Sequence, residues 1–129
     1  MHNPPRILIA DDNEDNRQIL LDLLGAADYD LVSALSGLEA VELAAAHVPD
    51  LILMDIQLPG IDGHEATRRI KARPELAHIP VIAVTSYALS GDEQKALDAG
   101  CDDYVTKPFS PRELLAKVRA TLARGAPAT

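Results

Sequence analysis

Five short apolar runs rich in Ile, Leu and Val recur along the chain, at residues 7–10, 31–34, 51–54, 81–84 and, more weakly, 104–105. Stretches with helical spacing of apolar residues separate them, so strand and helix are expected to alternate five times. The first, third and fourth runs are almost free of polar residues, as befits strands buried on both faces of a parallel sheet. Those three are expected at its centre.

The helix starts carry their own signals. Ser36 with Glu39, Asp62 with Glu65, Ser90 with Glu93 and Ser110 with Glu113 have the spacing of a cap. In such a pair the short oxygen-bearing side chain takes an exposed amide and the Glu returns a hydrogen bond. Pro111 fits a first helical position, where its missing N–H costs nothing. Asn13 can cap the first helix, with Glu14 and Asp15 at its positive end and Ile19, Leu20, Leu23 and Leu24 as its apolar face. The last helix repeats the pattern with Leu114, Leu115, Val118 and Leu122, and Gly100 and Gly125 stand where helices should stop. Short connections between parallel strands favour right-handed crossovers, giving an α/β class: a doubly wound five-stranded parallel sheet with helices on both faces.

At 129 residues the chain is the size of one domain. We expect that domain over residues 1–124 and a flexible tail over 125–129, which would serve equally as the start of a linker. With 47% apolar but 3% aromatic residues, the core must be built from aliphatic side chains. Charge adds more. Residues 1–65 hold 13 acidic and 2 basic side chains (net −11), residues 66–129 hold 7 and 10 (net +3), and the sum is −8. That balance disfavours direct contact with nucleic acid and directs the search for acidic chemistry to the first half. Cys101 is the single cysteine, no apolar run approaches the roughly 18 residues of a membrane span, and no signal peptide is legible, so a cytoplasmic protein without membrane insertion is expected.

In an open parallel sheet, ligands bind beyond the carboxyl ends of the strands. The first strand runs into Asp11 and Asp12, the third into Asp55, the fourth into Thr85 and Ser86, the fifth into Lys107 and Pro108. In a 2-1-3-4-5 strand order the three carboxylates converge. A pair about 4 Å apart repels by roughly 4 kcal/mol at an effective dielectric of 20, so a neutralising partner is required. Mg²⁺, which takes a few carboxylates with water and a phosphate oxygen, fits better than a proton. Lys107 adds a second positive charge, Thr85 a hydroxyl that can donate to a phosphoryl oxygen, and Asp55 a carboxylate nucleophile. Together these parts describe phosphoryl transfer onto an aspartate.

The same residues resemble the receiver domain of two-component response regulators over about residues 6–122. The resemblance rests on Asp11-Asp12, on the run from Asp55 through Pro59-Gly60 to Asp62-Gly63, on Thr85-Ser86 and on Lys107-Pro108, in the family's order and spacing. It implies Asp55 as phosphoacceptor and Mg²⁺ contacts from Asp12, Asp55 and the backbone carbonyl of Gln57, with Asp11 acting largely through water. It also implies Lys107 as partner of the phosphate, Gln57 and Tyr87 as residues that set phosphoryl lifetime, and Thr85 with Tyr104 as a switch. The expected partners are a sensor histidine kinase or histidine phosphotransfer protein upstream and a protein target downstream. Such a protein is a signalling phosphoprotein, not an enzyme in the ordinary sense, although it catalyses its own phosphorylation and slow dephosphorylation. It resembles stand-alone receivers, although the acidic run from Asp11 to Asn16 also resembles receivers fused to sensor kinases.

Blander readings compete. Taken singly, Asp11 and Asp12 suit a solvated helix start, and Tyr104 a half-buried core ring. His2, His47, His64 and His78 share no metal-ligand spacing. A Mg²⁺-dependent phosphohydrolase with an aspartyl-phosphate intermediate is the enzymatic alternative, but it wants a second Asp two places after the nucleophile, where Gln57 stands. A flavin-nucleotide carrier would have a Ser/Thr/Gly phosphate loop where residues 11–15 are acidic. A binding module that is never phosphorylated remains distinguishable by whether Asp55 reacts.

Overall fold

A computed structural model describes residues 4–85, 92–106 and 109–125. Five strands and five helices alternate: β1 (Arg6–Ala10), α1 (Glu14–Ala26), β2 (Asp30–Ala34), α2 (Gly37–His47), β3 (Leu51–Asp55), α3 (Gly63–Lys71), β4 (Val81–Thr85), α4 (Asp92–Ala99), β5 (Asp103–Thr106) and α5 (Pro111–Gly125). The strands are parallel, in the order β2-β1-β3-β4-β5. The uninterrupted apolar runs are the central strands β1, β3 and β4, while the half-buried β2 and β5 form the edges.

Successive residues of a strand face opposite sides of the sheet. On one side Leu8, Ala10, Ile52, Met54, Val81 and Ala83 meet α2 and α3 through Ala40, Val41, Ala44, Ala66 and Ile70. On the other, Ile7, Ile9, Leu51, Leu53, Ile82 and Val84 meet α1 and α5 through Leu20, Leu24, Leu114 and Val118. Each fully buried Leu or Ile contributes about 1.5–3 kcal/mol of apolar transfer. The first helix differs from expectation at one place. Ile19 is exposed, because the buried ridge is Leu20 and Leu24, flanked by Leu21 and Leu23. One residue before Leu20, Ile19 is turned about 100° away from that ridge.

The caps form, with a modification. Asn13 accepts from the Asn16 amide, Ser36 from Glu39, Asp62 from Glu65, and Ser110 from Glu113. The expected return bond is displaced: the Glu39 carboxylate accepts from the Leu35 amide rather than from Ser36. Glu65 turns instead to Arg68 and Arg69, and their guanidinium hydrogen bonds, that of Arg69 foremost, lower its pKa. The Ser90 cap lies outside the described residues.

At the amino end of the sheet, Lys71 donates to the carbonyls of Ile79 (2.6 Å) and Ala77 (3.3 Å) and to the Asp102 carboxylate (3.1 Å). That carboxylate also accepts from the Val81 amide, so one pair ties α3 to the starts of β4 and β5. Among the described residues no helix is long and apolar enough to cross a membrane.

Candidate metal and phosphoryl site

β1 ends by burying Asp11 and presenting Asp12 to solvent, and the ladder to β2 continues through the Asp11 amide to the Ala34 carbonyl. The Asp11 carboxylate then accepts from the amide of Asn13 at 2.9 Å, two residues on. β3 ends in the same way: the buried Asp55 carboxylate accepts from the amide of Gln57 at 2.9 Å. Both side chains are thus oriented by the backbone of the loop that follows them, the local bond that makes Asp favoured at such turns. Arg17, one turn into α1, donates to the Asp11 carbonyl.

The loop from Ile56 to Asp62 is held against the sheet by two glycines. Gly63 donates to the Ile56 carbonyl, and a Cβ there would stand 2.8 Å from the Ile56 Cα and press into the Asp55 carbonyl. A Cβ on Gly37 would likewise press into Ile61. Gly60 has φ +76°, a left-handed turn that an L side chain resists. Gly60 and Gly63 both belong to the sequence motif, and the geometry gives each its own cause: a left-handed turn at Gly60, and at Gly63 a close approach that lets the loop fold down beside Asp55.

Asp11, Asp12 and Asp55 come together as expected, each offering a carboxylate oxygen within 4.8 Å of the others. At that spacing each charged pair repels by about 3–4 kcal/mol at an effective dielectric of 20. Three hard oxygen donors, two of them on buried residues, suit a small divalent cation and would be unfavourable for a soft metal. The donor set therefore fits Mg²⁺. Gln57 is the neighbouring residue whose side chain reaches solvent.

Thr85 ends β4 at the same edge, one residue beyond Val84, the register partner of Asp55. Its own partner is Thr106, while Tyr104 pairs with Ala83, so Thr85 and Tyr104 share a face as diagonal neighbours. Tyr104 is half-buried and packs against the cluster beneath α2 and α3. Lys117, which the sequence did not single out, donates to the Tyr104 carbonyl at 3.0 Å and to the Asp103 carboxylate at 3.2 Å. Its ammonium lies 5.7 Å from the centroid of the Tyr104 ring. No spacing motif signals that contact, since it joins a strand to a helix 13 residues on. Lys107 and Tyr87 lie outside the described residues.

The profile of the response regulator receiver domain matches residues 7–119. The chain belongs to that family. This receiver is 44% identical over 119 residues to the polar-differentiation response regulator DivK of Brucella anthropi, covering 92% of this chain and 97% of that one. It is 46% identical over 116 residues to DivK of Brucella ovis, covering 90% and 94%. Among solved structures it is similar to the receiver domain of a Pseudomonas aeruginosa sensor histidine kinase, with a TM-score of 0.88, 36% identity, and coverage of 93% and 98%. That domain holds a magnesium ion coordinated in its active-site cleft. A CheY-like receiver domain protein of Methanospirillum hungatei aligns with a TM-score of 0.86 and 32% identity over 95% and 96%. The receiver is thus a domain of two-component signalling, in the 2-1-3-4-5 fold expected from its sequence.

Beneath the site, Cys101 donates from its thiol to Thr67 Oγ1 at 3.8 Å, and Thr67 donates to the Gly63 carbonyl at 2.7 Å. Burial raises the Cys101 pKa, so little nucleophilic thiolate forms near neutral pH. Cys101 is expected to react with a thiol reagent such as DTNB at least about a hundredfold more slowly in the folded receiver than in urea. Equal rates would contradict its burial.

Proposed function

We propose that this receiver takes a phosphoryl group from a phosphohistidine onto the Asp55 carboxylate and signals by a change of surface. The donor would be a sensor histidine kinase or histidine phosphotransfer protein. The observation that carries this reading is the convergence of Asp11, Asp12 and Asp55 at the carboxyl edge of the sheet, with Asp55 already oriented by the Gln57 amide. An Asp55 oxygen would attack phosphorus in line with the histidine nitrogen, the O–P bond forming as the P–N bond breaks. The released imidazole takes up a proton. Thr85 donates its hydroxyl to a phosphoryl oxygen, and Lys107 supplies counter-charge. Asp12, Asp55 and the Gln57 carbonyl would hold Mg²⁺ directly, and Asp11 largely through water. The bound ion would supply charge neutralisation of the carboxylates and of the transferred group.

Gln57 and Tyr87 are proposed to set the lifetime of the phosphoryl group by flanking the approach of water. Thr85 and Tyr104, diagonal neighbours on one face, are proposed as the switch: movement of the hydroxyl toward the phosphoryl group opens space for the ring. The altered outer face would then be read by a downstream protein, in the cytoplasm. Likeness to the DivK regulators over nearly their whole length supports a role in polar differentiation. Acetyl phosphate tests the chemistry without a kinase. With Mg²⁺ the wild-type protein is expected to gain one phosphoryl mass and Asp55→Asn none, while an undiminished adduct on Asp55→Asn would refute the assignment.

A further inference from the structure

Asp11, Asp12 and Asp55 gather three carboxylates within 4.8 Å of one another, and the turn that follows Asp12 adds Glu14 and Asp15. Negative charge at that density is costly to hold together unless a cation stands near. Residues 1–65 hold two basic side chains, Arg6 and Arg17. The Arg6 guanidinium is committed at the amino end of the sheet, to the Asp30 carboxylate at 2.8 Å and the His47 carbonyl at 3.4 Å. Arg17 is the one that reaches the cluster.

Arg17 grips the acidic turn at two points. Its main-chain amide donates to the Asn13 carbonyl at 2.9 Å, and its Nη1 donates to the Asp11 carbonyl at 3.2 Å. The Asn13 amide in turn donates to the Asp11 carboxylate at 2.9 Å, so the guanidinium is moored on a residue whose own carboxylate belongs to the cluster. Arg17 is half-buried, whereas Asp12, Asn13, Glu14 and Asp15 are exposed. It lies back along the protein rather than out in water. Its place on α1 is unfavourable by itself: it is the fourth residue of the helix, near the end where unpaired amides favour an anion. The carboxylates beside it account for a cation kept there.

We infer that Arg17 is the resident counter-ion of the carboxylate cluster, a positioning residue that holds the cluster together without metal and lowers its affinity for a divalent cation. A guanidinium stays charged at any pH the fold survives. Moored on the peptide that joins Asp11 to Asp12, it attracts the carboxylates while leaving their oxygens to face a metal. A dication entering the cluster meets that charge and is repelled by it. A purely structural clamp on the Asp11 carbonyl would act in the opposite sense, because cutting it would disorder the cluster and weaken metal binding. The affinity arm of the test rests on the Mg²⁺ reading of the cluster, and the stability arm does not.

Two measurements on the full chain decide between these roles. In calorimetric titration with MgCl₂ at low salt, Arg17→Met is expected to bind about fivefold more tightly than wild type, the effect of a unit charge about 9 Å from a dication in nearly aqueous surroundings. Arg17→Lys keeps the charge and should stay within about twofold of wild type, and the gain of Arg17→Met should shrink in about 0.5 M NaCl. The second measurement is metal-free urea unfolding of a double-mutant cycle with Asp11→Asn, which removes the charge but keeps an acceptor for the Asn13 amide. Arg17→Met should raise the unfolding constant about five times as much in wild type as in Asp11→Asn. Mg²⁺ binding that is unchanged or weaker in Arg17→Met would overturn the counter-ion, as would an equal cost of Arg17→Met in both backgrounds. If wild type itself binds no Mg²⁺, the metal reading falls instead, and the unfolding cycle alone decides for or against the counter-ion.

Discussion

Gly63→Ala is expected to lower the unfolding free energy by about 3 kcal/mol, the upper part of the range for overpacking a close contact. The new methyl would meet the Asp55 carbonyl and the Ile56 Cα, both main-chain atoms, so no side chain can rotate aside. Relief must come from lifting the β3–α3 loop, which would also disturb the Gln57 amide that orients the Asp55 carboxylate. Gly25→Ala is the matched control. Its methyl would find only Leu31 Cδ1 at 3.8 Å, an ordinary contact in the last turn of α1, and should be neutral or stabilising by up to about 1 kcal/mol. Urea unfolding of the two variants measures the difference, and equal midpoints would contradict the proposed close approach.

Asp12→Ala is expected to reduce Mg²⁺ affinity by about a hundredfold or more, since removing one carboxylate from a cluster of three removes an attraction of several kcal/mol. Asp11→Ala should cost less. The Asp11 carboxylate is buried and already accepts the Asn13 amide, whereas Asp12 is exposed. Without metal, Asp12→Ala relieves like-charge repulsion and should be more stable to unfolding than wild type by about 1 kcal/mol. Calorimetric titration and metal-free urea unfolding read the two effects separately. Unchanged Mg²⁺ affinity in both variants would place the ion elsewhere.

The architecture was legible because each strand's burial writes itself into the sequence. Residues 7–10, 51–54 and 81–84 are apolar at nearly every position since both faces of β1, β3 and β4 are covered, and the polar residues that stop them sit at one edge. Asp11, Asp12 and Asp55 could therefore be brought together from strand order alone. What escaped depends on angles and on long-range pairing. Ile19 reads as core because apolar spacing alone leaves the centre of the buried ridge open by one residue. Glu39 accepts from the Leu35 amide instead of that of its own cap, a choice between two adjacent amides that residue spacing does not encode. The Lys71–Asp102 tie and the Lys117 contact with Tyr104 span 31 and 13 residues with no spacing motif to announce them, and Val48 gives no sign of its left-handed backbone.

Phosphorylation of Asp55 is open to direct chemical reading. An aspartyl phosphate is an acyl phosphate, and borohydride reduces it to the alcohol, converting that Asp to homoserine while leaving free carboxylates unchanged. The receiver would be treated with acetyl phosphate and Mg²⁺, reduced, digested and mapped by mass spectrometry. Homoserine at position 55 alone, absent when Mg²⁺ is chelated beforehand, is the predicted result. Homoserine at position 11 or 12, or at no position, would contradict it.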